Sequence, residues 1–264
     1  GDEIEGVEDA TQSLVSTLAA FKSEIGSLDE SEFAMSIVDK MNEVSNNFAI
    51  SSGGIGEALQ RSASSMAAAN NSLDETIALI TAANTVVQNP EKVGNAFKTM
   101  SMRIRGAKTE LEEAGESTEG MAESTASLRA EMLALSGVDI MLDENTFKST
   151  YQIMDELSQK WEGLSDIAQA SITELVAGKH QGNVMSSLMA NFDIARDALE
   201  TSLGSSGSAM AEHAKWSESL EARLNKLKAA WQSLSQTFMN SDFLEMKGIA
   251  ITRENYDLVY TAPL

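Results

Sequence analysis

Apolar residues along this chain recur at steps of three or four between capping signals and glycines, which is the period of amphipathic helices. The first stripe, over 7–25, is Val7, Leu14, Leu18, Phe21 and Ile25, and Gly26 ends it. Asp29 with Glu32 reads as a capped start, and Phe33, Ile37, Met41, Val44 and Phe48 follow at helical steps. Ser51-Ser-Gly-Gly54 reads as a turn cluster. Over 55–69 the stripe is narrow (Ile55, Leu59, Ser62 and Met66), and the many alanines and serines suit close approach of helices more than bulk burial. Ser72-Leu-Asp-Glu75 is a capping box for a fourth helix with Leu73, Ile77, Ile80 and Val87 inward. Asn89-Pro90 stops that helix and opens a fifth, with Pro90 at the first helical position, where its missing N–H is harmless. The fifth helix carries Val93, Phe97, Met100, Ile104 and Leu111.

Gly115 to Gly120 reads as a loop, and a shorter helix over 123–135 turns Leu128, Met132 and Leu135 inward, with Gly137 just past its end. Val138-Asp-Ile-Met-Leu142 has the composition of a strand, but one strand alone has nothing to pair with. It is expected to be an extended connector that tucks Ile140 and Leu142 into the core. Phe147, Tyr151, Met154, Leu157, Trp161 and Leu164 make a strongly amphipathic helix, and Ser165-Asp166 turns the chain into the 167–177 segment. A polar corner follows, Gly178-Lys-His-Gln-Gly-Asn183. Gly178 is suited to a positive φ that ends one helix. Asn183 is suited to cap the next, which Val184, Leu188, Ala195 and Leu199 line. With Gly182, these residues predict a tight turn that folds helix 184–201 back on helix 147–164. Gly204 to Gly207 reads as a short flexible joint. Beyond it, Leu220, Leu224, Leu227, Trp231, Leu234 and Phe238 form a heptad stripe on a helix expected over 208–240, suited to packing on another helix or on a copy of itself.

The expected fold class is therefore all-α, a multi-helix bundle or stacked helical hairpins with one long C-terminal helix. Residues 1–135 would form an N-terminal helical region and 136–246 a C-terminal one. Residues 247–264, β-branched and holding two of the three tyrosines, differ in character and would be an irregular or β tail, the start of another module, or foreign sequence. Composition agrees with helices: 42% of residues are hydrophobic but only 5% aromatic, with two prolines. The opening Gly1 in place of Met is expected of a fragment or a processed chain. No basic segment followed by an apolar one reads as a signal peptide, and no apolar run approaches the ~20 residues of a membrane span.

The absence of cysteine removes disulfides, thiolate metal sites and cysteine nucleophiles. A net charge of −21 argues against non-specific nucleic-acid binding, which needs clustered cations. One stretch reverses that sign: Lys92, Lys98, Arg103, Arg105 and Lys108 stand with Glu91 as the only acid between 91 and 108. These cations read either as a face paired with acidic neighbours or as a docking surface. Arg103 and Arg105, two positions apart, diverge on a helix. The candidate interaction residues are Lys98, Arg103, Arg105, Lys108, Lys179 and His180. His180 and His213 stand in no zinc-binding spacing. Gly178-Lys179 lacks the earlier glycine and the following Ser or Thr of a phosphate loop. Asp139, Asp143, Glu144 and Asn145 lack the spacing of a calcium loop. No catalytic residue, metal ligand or cofactor is assigned, and the expectation is a protein that is not an enzyme.

Three stretches then matter together: Asn47 to Asn71 (NFAISSGGIGEALQRSASSMAAANN), Pro90 to Glu113 (PEKVGNAFKTMSMRIRGAKTELEE) and Glu174 to Asn183 (ELVAGKHQGN). In this order they closely resemble the core region of phage tail tape-measure proteins, over roughly residues 5–244. The resemblance implies a structural and assembly role in a phage tail or tail-like particle: setting tail length, lying in the tube lumen and accompanying genome delivery. It implies tail tube protein, tail-tip or baseplate proteins and assembly chaperones as partners, with assembly in the bacterial cytoplasm. At the corner the family would carry an arginine where this chain has His180. The competing reading is a non-viral helical scaffold or signalling coiled coil, against which the frequent glycines and caps argue.

Overall fold

The computed structural model describes residues 12–208, and over them the chain is all helix, turn and loop, without a strand or sheet. Helix α1 covers 12–20 and leads through a 3-10 turn, Lys22–Glu24, to α2 (Glu30–Asn47), α3 (Ser52–Ala68), α4 (Leu73–Val87) and α5 (Pro90–Ile104). Then come α6 (Lys108–Glu113), α7 (Thr125–Ser136), α8 (Thr150–Trp161), α9 (Asp166–Ala177), α10 (Gly182–Ala190) and α11 (Phe192–Leu203). Val7, His213, the heptad stripe and the 247–264 tail lie outside the described residues.

Capping chemistry sets where helices start. The Asp29 carboxylate accepts from the Glu32 N–H at 2.8 Å while Glu32 accepts from the Asp29 N–H at 3.0 Å. Ser72 and Glu75 exchange the same pair of bonds, both 3.0 Å. A third reciprocal pair, Ser149 with Gln152, opens α8. Each answers two of the N–H groups that a helix start leaves free. Asn89 caps α5, with Pro90 in its first turn.

The interior is one apolar cluster running from Phe21 to Ala198, to which helices on both sides of residue 135 contribute. Its axis is α4. From Leu73 to Asn84 nearly every residue of α4 is buried, including Thr76, Ala78, Leu79, Ala82 and Ala83, well beyond the expected stripe. α3 and α5 pack along one flank, α10 and α11 on another, and α2 adjoins both α3 and α11. α3 and α5 run in the same direction, since Gly54 meets Pro90 and, four residues on in each helix, Ala58 meets Gly94. At the α4 entrance the half-buried pair Lys40–Asp74 closes at 2.6 Å, and the Ser202 hydroxyl donates to the same carboxylate at 2.5 Å.

Four local expectations are corrected. Ser51 to Gly54 is no turn but the start of α3: the Ser51 hydroxyl accepts from the Gly54 N–H at 3.0 Å. The glycines there are contact points, and Ser13 of α1 donates to the Gly56 carbonyl at 2.7 Å. The fifth helix stops at Ile104, because Gly106 takes a φ of +70°, and Leu111 is buried from α6 instead. In the 138–142 connector, Val138 and Ile140 enter the core, whereas Leu142 stays 63% exposed. There Met141 and Phe147 form an antiparallel bridge, the Leu142 N–H donates to the Thr146 carbonyl at 2.7 Å, and the chain reverses before the alternation can bring Leu142 inward. Finally, the helix after the corner breaks at Asn191 into α10 and α11. Both lie chiefly on α4, and both also touch α8: α10 packs on it more lightly, and α11 reaches it through Arg196, bonded to Asp155 and Ser158, and through Phe192 against Tyr151. The 204–207 joint is held against α2, with the Gly207 N–H donating to Asp39 at 2.9 Å.

Candidate functional site

The corner at 178–183 is built around an arginine from α5. Arg103 is 2% exposed, and its guanidinium reaches the C-terminal end of α9. Nε donates to the Leu175 carbonyl at 3.1 Å and Nη2 to that of Glu174 at 2.8 Å. The remaining N–H groups hold the 115–120 loop through the carbonyls of Ser117 and Glu119, both at 3.1 Å. A cation at this position answers orphan carbonyls and the negative end of the helix dipole together. Burial pulls the Arg103 pKa down, and the Glu174 charge offsets part of that; an arginine stays protonated regardless.

Gly178 then ends α9 with φ +67° and ψ −173°, a backbone region essentially reserved for glycine. A Cβ there would stand 3.2 Å from the Arg103 guanidinium carbon, so the corner is also tight. Gly120 lies against α9 in the same way, with φ +73° and the Glu174 side chain 2.8 Å from where its Cβ would be. Asn183 does not cap α10, which already includes Gly182 and starts after Gln181 with no side-chain cap. Gly182 instead gives room to Thr173, 3.3 Å from the place of its Cβ.

The candidate interaction residues therefore scatter. Lys179 is exposed and ion-paired with Glu119; their mutual hydrogen bond raises the lysine and lowers the glutamate pKa. His180 is exposed and shares a shallow depression of about 360 Å³ with Lys92, Asn95, Glu116 and Gln181. Lys98 and Lys108 are half-exposed on α5 and α6. Arg103 is internal, and its hydrogen bonds go to backbone carbonyls. Arg105 diverges from it and lies over the Phe147 ring, 4.3 Å from the centroid. Sequence reasoning missed Glu119, Gly120 and Glu174 as parts of the corner; a glycine ending a loop is a weak signal, and nothing local tells an arginine which distant carbonyls it will meet. Among the described residues no group of three or more His, Asp or Glu could hold a metal ion, and no helix is long and apolar enough to cross a membrane.

The arrangement is suited to holding a shape and presenting charged surface. No solved structure matches the chain. A family model described as phage-related minor tail protein matches residues 2–178, which include α3, α5, the Arg103 clasp and Gly178 itself. The chain thus belongs to the phage-related minor tail protein family, and its role is that of a structural component of a phage tail.

Proposed function

We propose that this chain is the core segment of a tape-measure protein, which helps set tail length, lies in the tail-tube lumen and takes part in genome delivery. The observation that carries this reading is spatial. The three stretches that resemble tape-measure cores become α3, α5 with α6, and the 174–183 corner. α3 packs along α5, and Arg103 of the second stretch clasps the third. Sequence that resembles one family in three separated places makes one continuous piece of architecture. Tail tube protein, tail-tip or baseplate proteins and assembly chaperones are the partners this role requires. Half-exposed Lys98 and Lys108 and exposed Lys179 and His180 are the polar side chains that would meet them, and the stripe from Leu220 to Phe238 is the segment for self-association. The net charge of −21 suits passage beside DNA without adhesion.

The test is a set of in-frame deletions and duplications in the parent gene, read as tail length by electron microscopy, with co-purification of the tube protein. Tails that shorten and lengthen with the gene support the ruler role, and constant length across large deletions refutes it.

A further inference from the structure

Each arginine side chain has one flat edge, Nε with Nη2, that can receive both oxygens of a carboxylate side-on. Arg129 uses that edge on Asp139, at 2.8 and 2.6 Å. Arg196 uses it on Asp155 at 2.7 Å and Ser158 at 3.0 Å, and Arg103 on the carbonyls of α9. In Arg105 both atoms of that edge are buried and have no hydrogen-bond partner. The residue as a whole is half-buried, its guanidinium lies on Phe147, and burial pulls its pKa down.

A desolvated cation with two unanswered N–H groups is unfavourable, and one ring face offsets only part of that. No hydrogen bond of these two atoms holds the group to its surroundings, so turning the outer torsions would break none of theirs.

We propose that Arg105, laid across Phe147, is the receiving cation for a glutamate or aspartate side chain of a protein partner. A carboxylate fits the idle edge as Asp139 fits Arg129. The chain's charge of −21 admits a single carboxylate on a peptide far more readily than a polyanionic nucleic acid. The partner segment is therefore acidic at one position and otherwise uncharged. The site does not depend on the tail-length role.

The experiment uses the full 264-residue chain and a capped alanine-based peptide carrying a single glutamate, beside its glutamine twin and a short DNA duplex. The readouts are the Arg105 Nε–H signal by ¹⁵N NMR and the peptide affinity by titration calorimetry. The glutamate peptide is expected to shift that signal, with an affinity that weakens as salt rises. Arg105→Lys keeps the charge but loses the fork and should bind about tenfold more weakly. Arg105→Met should abolish binding with the melting temperature unchanged or raised, because an uncompensated cation is removed. Four results overturn the proposal: an Arg105 signal that no ligand moves; equal binding of the glutamine twin; a shift with duplex DNA alone; and Arg105→Met lowering the melting temperature while affinity is unchanged, which marks a packing role.

Discussion

Gly178 holds φ +67° with an extended ψ, and Arg103 sits where its side chain would grow. Substitution by valine meets both obstacles at once. Gly178→Val should lower stability by at least about 1–3 kcal/mol from backbone strain, read by chemical denaturation, and an unchanged midpoint would show an ordinary backbone there. The need for glycine was legible because a polar corner after an apolar helix asks for one. Its partner was not, since Arg103 looked like one of several surface cations until the fold carried it inside. Glu75 offers a second test at this scale. Burial raises its carboxyl above the ordinary 4.5, although it accepts from the Ser72 N–H and the Ser149 hydroxyl. An acid whose native pKa is raised is destabilising when ionised, and the penalty grows as pH rises from about 4.5 through the raised value. Glu75→Gln keeps an acceptor for Ser72 and removes the charge. It should match or exceed the parent's stability at pH 7, with the advantage shrinking as pH falls toward about 4.5; a difference independent of pH would sink this account.

Among the elements, the pair α3–α5 packs most closely. The site of a Cβ on Gly94 is 2.5 Å from the Ala58 carbonyl oxygen and 2.9 Å from its Cα, both rigid backbone. Gly94→Ala therefore forces the two helices apart and should cost about 1–3 kcal/mol, as overpacking does, despite the better helix propensity of alanine. A melting temperature raised by that substitution would mean the axes are free to separate. The stripe Ile55, Leu59, Ser62 and Met66 was readable as a narrow contact face, and all four are buried. Helix boundaries were readable where a side chain caps, as at Asp29, Ser72 and Asn89. They were missed where geometry alone decides. Nothing between Gly182 and Leu203 announces the break at Asn191, and the glycines of 53–56 look like a turn unless the neighbours they admit are known. The all-round burial of α4 escaped for a related reason: threonine and alanine are permitted both inside and outside, and only surrounding helices choose.

Across the whole molecule the cover of α4 is drawn from both ends of the described chain. Ser187 of α10 donates to the Ala83 carbonyl at 2.9 Å, and Ser202 of α11 reaches Asp74, so the late helices run back along α4 from its end to its beginning. The family match, by contrast, closes at residue 178. A chain cut after Gly178 keeps every matched residue yet bares one flank of the central helix. It should lose the cooperative thermal transition and bind a hydrophobic dye, while a piece ending at 208 keeps the transition; a sharp, dye-free melt for the shorter piece would refute this. The same feature sets a clock during synthesis. Val87 leaves the ribosome more than a hundred residues before Leu203, an interval on the order of 6–25 s at ordinary elongation rates. For those seconds the nascent chain carries a nearly complete apolar helix whose last neighbours have not been translated, and that interval is when it most needs something else to shield it.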